Sequence, residues 1–195
     1  NKTIYNKNSN NINLEKINEI GEVINNAEKP VLYVGQGCNN YSKELREFVD
    51  NSNIPITTTI HAMGCYDETK ELSLKFLGMH GSVYANKSIQ EADCIIALGS
   101  RFDDRTTGNL DLYAPKAKKN KGIIHCNINQ KEINNVVQSN YSINGDCGDF
   151  LKNIKNKVVY KKREKWLSQI NDWKKNYPFI HNVNENIYTQ DILIE

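Results

Sequence analysis

Apolar residues recur along this chain with two alternating periods, and the alternation predicts the order of its elements. Over residues 14–27 they fall three or four positions apart, as on one face of an amphipathic helix. Short continuous apolar runs follow, with the length and β-branched content of buried parallel strands. These runs cover residues 31–34, 55–60, 94–98 and 122–128.

Helical patterns separate these strands. Ser42 is a candidate N-cap for a second helix, and residues 82–92 have helical spacing. Asn129 with Glu132 three positions later resembles a capping box, and Asp146 precedes a further helix. Strands that alternate with amphipathic helices predict an α/β domain with a doubly wound, mainly parallel sheet.

The two ends of the chain differ in composition from its middle. Residues 1–13 are polar and rich in Asn, and we interpret them as a linker. Residues 14–158 carry the alternating pattern and form the predicted central domain. Residues 159–195 are predicted to hold a C-terminal helix and a linker to a further domain, and residues 189–195 resemble the start of another element.

A basic segment of this C-terminal region carries an apolar stripe at helical spacing. Such a stripe can lie on a membrane surface or on a partner, or it can pack an extra helix onto its own protein. We favour packing onto the same chain. The stripe consists of Trp166, Ile170, Trp173 and Tyr177.

Composition excludes several classes of protein. The chain of 195 residues has 25 basic and 23 acidic residues and a net charge of +2, and no basic stripe with interleaved aromatics indicates nucleic-acid binding. No apolar run is long enough to span a membrane. The five cysteines are scattered without metal-ligand spacing, which predicts a reduced, intracellular protein without a metal site.

Glycine-bearing loops follow several of the predicted strands. In an open α/β sheet, ligands bind beyond the carboxyl ends of the strands, where glycine lets the main chain approach them. The loop after Leu98 carries Gly99 and then Arg101, Asp103, Asp104 and Arg105, which favours a binding site over an ordinary solvated loop. The other candidate groups are Gly35-Gln36-Gly37, Thr59-Ile60, the 77–81 loop, Asn127-Ile128 and Asp146-Cys147.

This pattern favours binding over chemistry. Gly35-Gln36-Gly37 lacks the third glycine of a dinucleotide fingerprint, so a plain strand-to-helix turn also explains it. The sequence has no Ser/His/Asp order, no HExxH and no phosphate-binding P-loop. We therefore predict no catalytic residue and no metal ligand in this chain.

Four segments together resemble one enzyme family, namely KPVLYVGQG, LGMHGSVYAN, ALGSRFDDRTTG and GIIHCNINQKEINNVVQ. They are similar to the central domain of the catalytic subunit of acetohydroxyacid synthase, also called acetolactate synthase. The resemblance is strong from Lys29 to Asp149 and implies a Rossmann-like domain with a six-stranded sheet. Family members condense two 2-keto acids with loss of CO₂ in branched-chain amino-acid biosynthesis. They use thiamine diphosphate with Mg²⁺, and their central domain holds an FAD that plays no net redox part.

The resemblance also implies roles for individual residues. Positions near the substrate channel, where sulfonylurea-type inhibitors also bind, would be Met79, His80, Asp104 and Arg105. Two positions depart from the family pattern: Asn127 stands where an acidic residue is usual, and Gln36 replaces a small residue. The FAD contacts would be Gly35, Gln36, Thr59, Ile60, Leu77, Gly78, Met79, His80, Gly99, Ser100, Arg101, Phe102, Asp103, Asn127, Ile128, Asp146 and Cys147.

The resemblance further implies that this chain is one part of a larger enzyme. The thiamine-activating glutamate and the Mg²⁺/diphosphate motif of the family are absent, so we expect the isolated chain to be inactive. Expected partners are the flanking domains, a second subunit in a homodimer or tetramer, and a regulatory subunit. The expected location is a plastid or mitochondrion, or the cytoplasm in a bacterium. Two alternatives remain: another thiamine-dependent carboligase or oxidase, and a non-catalytic nucleotide-binding module.

Overall fold

A computed structural model describes residues 13–179, and within that range six strands form one sheet. All neighbouring strands are parallel, in the order β3-β2-β1-β4-β5-β6. This order is that of a doubly wound dinucleotide-binding sheet, so the predicted fold class is confirmed. The strands are β1 (Pro30–Val34), β2 (Ile56–Thr58), β3 (Ser73–Phe76), β4 (Cys94–Leu98), β5 (Ile123–Asn127) and β6 (Tyr141–Asn144).

Helices cover both faces of the sheet. Short 3₁₀ segments cover Gln36–Tyr41, Ile60–Ala62 and Gln130–Glu132. The helices are α1 (Leu14–Asn26), α2 (Ser42–Ser52), α3 (Val83–Glu91), α4 (Asp104–Thr107), α5 (Pro115–Lys119), α6 (Cys147–Ile154) and α7 (Glu164–Asn176).

Successive residues of a strand point to opposite faces, and each face buries its own core. In β1, Leu32 and Val34 join the core beneath α1, α2 and α6, whereas Val31 and Tyr33 join the core beneath α3, α5 and α7. All five residues of β1, β4 and β5 are buried, as expected of central parallel strands, although β5 also buries the polar side chains of His125 and Asn127.

Helix α7 packs on the second of these cores. Trp166 and Ile170 are almost fully buried, and the Trp166 indole donates a hydrogen bond to the Pro30 carbonyl at 3.1 Å. Trp173 meets Trp166 edge to face with ring centroids 5.8 Å apart. Packing onto the same chain is therefore confirmed, and the membrane-surface and partner interpretations of this stripe are wrong.

Arg163 joins the segment before α7 to the rest of the domain. Its buried guanidinium donates hydrogen bonds to the carbonyls of Ile24, Ala27 and Ser52, at the ends of α1 and α2. The last carbonyls of a helix have no hydrogen-bond donor within the helix. Arg163 supplies donors for these carbonyls at the C-terminal ends of α1 and α2.

The structure corrects several local predictions. Ser42 is the first residue of α2 and not its cap, and the strand predicted over 55–60 is limited to Ile56–Thr58. Asn129 caps only a 3₁₀ turn, and its own N–H donates to Asn127 and not to Glu132, so there is no capping box.

Three short elements were not predicted, namely β3, α4 and α5. Strand β3 is a four-residue edge strand with the sequence Ser-Leu-Lys-Phe, so it has no continuous apolar run. Its backbone is also irregular, because Lys75 has a φ of +60°. Helices α4 and α5 have only four and five residues, too few to show a helical period. The predicted linker over residues 1–12 and the element over 189–195 lie outside the described residues.

Candidate functional site

The strand order reverses between β1 and β4. The loops that follow these two strands contact each other there through their backbones. The Gly35 N–H donates to the Leu98 carbonyl at 2.8 Å, and the Gly37 N–H donates to the Gly99 carbonyl at 3.2 Å. A Cβ atom on Gly35 would lie 2.3 Å from the Gly99 oxygen. Gly99 has a φ of +60°, which favours glycine. The two loops therefore need glycine to meet at the point where ligands bind in such sheets.

A cavity of about 420 Å³ opens at this point, and we call it the switch cavity. Its volume lies within the range of small-molecule sites. It unites groups from the ends of β1, β2, β4, β5 and β6. Its lining residues are Gly35, Gln36, Gly37, Asn40, Tyr41, Thr59, His61, Gly99, Ser100, Arg101, Asp103, Asn127, Ile128, Asn129, Glu132, Asp146 and Cys147.

Most of the predicted FAD contacts line the switch cavity, although they come from five separate loops. Gly37, proposed from the sequence as part of a glycine loop, lines it as well. Of the predicted contacts, Ile60, Leu77, Gly78, Met79, His80 and Phe102 do not line it.

Two side chains of β5 hold the loop that carries Arg101. The Ser100 carbonyl accepts hydrogen bonds from Asn127 Nδ2 at 2.8 Å and from His125 Nε2 at 3.0 Å. Burial lowers the pKa of His125, so the ring is neutral and its one N–H is the Nε2 proton that this bond needs. Asn127 Oδ1 accepts the Asn129 N–H at 2.9 Å, so both ends of the amide are bonded within the protein.

Phe102 lies behind this loop. Its side chain is 1% exposed, and its ring centroid lies 5.0 Å from His125, 5.4 Å from Tyr33 and 6.1 Å from Tyr113. The Phe102 φ of +55° turns the side chain into this core and leaves its neighbours Arg101 and Asp103 on the cavity. Phe102 can therefore meet a ligand in the cavity only through its backbone.

Asp146 lies at the far end of the cavity and is held by the protein itself. Its Oδ1 accepts the N–H groups of Gly148 and Asp149 as the N-cap of α6, and its Oδ2 accepts the Tyr41 hydroxyl at 2.6 Å. This hydrogen bond to the carboxylate raises the pKa of Tyr41. The Tyr41 ring lies against Gly148, where a Cβ atom would lie 2.4 Å from it. The pair fixes the start of α6 relative to the turn after β1.

Several lining residues were not predicted as site residues. They lie shortly after strand ends, and that position was the one signal of a site. Asn129 and Glu132 carried a capping pattern, which indicates a helix start and not a ligand. The folded chain brings the five residues together. They are Asn40, Tyr41, His61, Asn129 and Glu132.

A second cavity of about 390 Å³ lies beside the first, and we call it the Met79 cavity. It brings Met79 together with Asp104 and Arg105, three of the four residues assigned to the substrate channel. The Met79 N–H donates to the Arg105 carbonyl at 2.9 Å, which joins the two loops. The other lining residues are Leu77, Gly78, Asn86, Ile89, Gln90, Thr106, Thr107, Gly108 and Tyr113.

Besides Phe102, two predicted residues line neither of these cavities. The Ile60 side chain is largely exposed, and His80 is exposed on the loop after Met79. Whether these residues and the Leu77–Met79 segment contact a cofactor or substrate stays a prediction.

The groups in the switch cavity suit binding. Arg101 supplies an exposed guanidinium, Asp103, Glu132 and Asp146 supply carboxylates, and the glycine loops supply close main-chain approach. Within residues 13–179, no group of three or more His, Cys, Asp or Glu side chains could hold a metal ion. None of the helices in that range is both long enough and apolar enough to cross a membrane.

Comparisons with known proteins show which family has sequences similar to this chain. The family model for the central domain of thiamine pyrophosphate enzymes matches residues 17–154. The mitochondrial acetolactate synthase catalytic subunit of Saccharomyces cerevisiae is 43% identical over 177 residues, which cover 86% of this chain and 26% of that protein.

Two further relatives have similar coverage. The mitochondrial acetolactate synthase of Schizosaccharomyces pombe is 43% identical over 175 residues, covering 84% of this chain and 26% of that protein. The chloroplastic acetolactate synthase of Arabidopsis thaliana is 39% identical over 169 residues, covering 83% and 24%. The chain thus spans about a quarter of the length of the curated relatives that it matches.

Proposed function

Because this chain belongs to the family of thiamine pyrophosphate enzyme central domains, we propose that it is the FAD-binding central domain of an acetolactate synthase catalytic subunit. The full-length enzyme would condense two pyruvates, or pyruvate and 2-ketobutyrate, with loss of CO₂. The proposed domain runs over residues 14–158, with α7 packed on it. The curated relatives of this chain carry that enzyme's name.

One observation carries the FAD assignment. The switch cavity lies where the sheet reverses its order, and its walls include Gly35, Gly37 and Gly99. Because these glycines have no Cβ atom, a ligand can approach their main chain closely. A dinucleotide needs such close main-chain approach around its diphosphate. The residues present therefore fit this cofactor.

The residues of the cavity would divide the work of holding FAD. Arg101 would donate charge-assisted hydrogen bonds to the diphosphate, which matters because the cavity also holds Asp103, Glu132 and Asp146. Asp146 still has free lone pairs for a hydroxyl donor, and Asn127 retains one N–H. His125 would hold the Ser100 carbonyl in place and so orient Arg101. A bound FAD would supply a planar ring system without a net redox step in the condensation.

The Met79 cavity would form part of the substrate channel, with Met79 supplying an apolar contact and Arg105 a cationic one. The groups that hold thiamine diphosphate and Mg²⁺ would come from the other domains of the subunit. We further propose that the subunit forms a homodimer or tetramer, is bound by a regulatory subunit, and works in a mitochondrion or plastid.

A flavin titration with two matched variants tests the FAD assignment. Arg101→Ala removes the arginine on the switch cavity, and Arg105→Ala removes an arginine that is also exposed, lies in α4 four residues later and lines the Met79 cavity. Hydrogen bonds to charged groups contribute about 1.5–3 kcal/mol, so Arg101→Ala should raise the Kd for FAD about tenfold or more. Arg105→Ala should leave the Kd unchanged.

The readout is the quenching of flavin fluorescence on binding. Equal effects of the two substitutions, or saturable binding that Arg101→Ala does not weaken, would contradict the placement of FAD in the switch cavity. Acetolactate release from pyruvate by the full-length subunit tests the activity separately.

A further inference from the structure

Three of the cysteines converge beside the switch cavity from distant parts of the chain. Cys38 lies in the 3₁₀ turn after β1, Cys126 is the fourth residue of β5, and Cys147 is the first residue of α6. All three are free, nearly fully buried and part of the core beneath α1, α2 and α6. We call them the cysteine cluster.

Backbone contacts show how the fold assembles the cluster. The Cys38 thiol donates to the Leu98 carbonyl at 3.8 Å, and Leu98 is the register partner of Cys126 in the neighbouring strand. The Cys126 thiol in turn donates to the Gly145 carbonyl at 3.6 Å, two residues before Cys147. The sheet register therefore brings the three side chains into one layer.

Cys147 differs from the other four cysteines in its place at the switch cavity. It lines the cavity, whereas Cys38, Cys65, Cys94 and Cys126 do not. Although Cys147 is only 3% exposed, it is the cysteine that a small solute in the cavity can contact, and the other two members of the cluster lie deeper.

The surroundings of Cys147 favour its thiolate. The neighbouring Cys126 and Cys38 thiols lower the pKa of Cys147, against the opposing effect of burial. The Asp146 carboxylate also opposes ionisation. Proximity to Cys147, followed by burial, raises the pKa of Cys38 and of Cys126. The thiolate is the form of cysteine that reacts with oxidants.

We propose that the cysteine cluster is a peroxide-sensitive site, in which Cys147 is oxidised first and then forms a disulfide with Cys38 or Cys126. The Cys147 sulfur attacks one oxygen of hydrogen peroxide, the O–O bond breaks, and a sulfenic acid and one water result. The second thiol then attacks the sulfenic sulfur, the S–O bond breaks, and a second water leaves as the S–S bond forms. Two thiols lose two electrons in total, and one peroxide becomes two waters.

Peptide mapping of the oxidised chain under non-reducing conditions tests this proposal. The reduced protein is treated with hydrogen peroxide, the remaining thiols are alkylated, and the peptides are identified by mass spectrometry. We expect Cys147 to be the first cysteine lost and to be recovered in a disulfide with Cys38 or Cys126. Cys94, which is buried in β4 outside the cluster, should remain a free thiol and serves as the internal control.

Variants separate the two steps. In a protein with both Cys38→Ser and Cys126→Ser, Cys147 should stop at the sulfenic acid, which dimedone traps. Recovery of Cys147 as an unmodified thiol, a sulfenic acid in the unsubstituted chain that never becomes a disulfide, or oxidation of Cys65 before Cys147 would each overturn the proposal. The unsubstituted chain gives the main result, so the test does not depend on the folding of a variant.

Flavin protection, which rests on the proposed function, is measured in the same samples. At a flavin concentration ten times its Kd about a tenth of the cavities are free, so oxidation of Cys147 should slow about tenfold. A Cys147 disulfide that forms equally fast with and without FAD would support the cluster and contradict the placement of FAD in this cavity.

Discussion

The switch cavity and the Met79 cavity lie side by side at the same edge of the sheet, yet the chain builds them differently. The switch cavity is formed at the ends of paired central strands, and its two main loops are joined by backbone hydrogen bonds that continue the sheet. The Met79 cavity is formed by two loops that meet through the hydrogen bond from Met79 to Arg105 and through Asn86, which bonds both the N–H and the carbonyl of Gly78. Register therefore determines the first cavity, and a few loop contacts determine the second.

The largest expected loss of stability comes from adding a methyl group where the two glycine loops of the switch cavity meet. Gly99→Ala combines a φ of +60° with a Cβ atom 2.6 Å from the Gly37 Cα, a backbone atom that cannot move alone. We expect a loss of about 4 kcal/mol in the free energy of unfolding, measured with urea, and loss of FAD binding.

The control is Gly108→Ala, on the Met79 cavity, where φ is +59° and nothing lies within 4 Å of the added Cβ. It should lose only the backbone contribution, about 1–3 kcal/mol at this φ and a ψ of −132°. Equal losses in the two variants would show that the close contact between Gly99 and Gly37 does not add to the cost of Gly99→Ala.

A smaller effect is expected from the same change in the loop-built cavity. Gly78→Ala places a Cβ atom 2.8 Å from the Arg105 carbonyl oxygen at a φ of +111°, but these loops can shift without moving the sheet. We expect a loss of about 2–3 kcal/mol, with FAD affinity unchanged. Gly64→Ala, with a φ of +85° and open space around it, is the matched control. Loss of FAD binding in Gly78→Ala would contradict the independence of the two cavities.

One asparagine in each cavity allows a comparison of the side chains that hold the loops. Asn127→Ala removes the amide N–H that bonds the Ser100 carbonyl, so it should cost about 1–2 kcal/mol and weaken FAD binding. Asn86→Asp removes the N–H groups that bond the Gly78 and Ser82 carbonyls and should lower stability without changing the flavin Kd. Calorimetric melting and flavin titration of both variants check this, and the opposite pattern of flavin affinity would refute it.

The smallest expected effect is the pH dependence that His125 introduces. Its pKa is lowered in the folded chain, so below about pH 6.5 the unfolded chain binds a proton that the folded chain resists. Stability should therefore fall as the pH drops below that value, and His125→Gln should reduce this loss. Urea unfolding between pH 5 and about pH 8 measures it. His80→Gln, at an exposed histidine, is the control and should leave the profile unchanged.

The central strands and the long helices can be predicted from the order of apolar and polar residues along the chain. The runs of β1 and β4 are mostly apolar because both faces of each strand are buried, and β5 follows the same pattern except at His125 and Asn127. The amphipathic spacing of α1, α3, α6 and α7 matches a single buried side. The glycine loops and Asp146 could also be predicted, since they directly follow strands. Residues with strong local signals of this kind need no knowledge of their neighbours in space.

The grouping of these loops into two cavities could not be predicted, because it depends on how the strands pair in space. The tertiary structure separated the Leu77–Met79 segment from Gly35 and Gly99, turned Phe102 into the core, and added Tyr41 and His61 to the switch cavity. It also assembled the cysteine cluster from three segments of the chain. The physical reason is that parallel strands are paired through long crossovers, so the groups that meet at a sheet edge are set by strand order and register and not by their spacing along the chain.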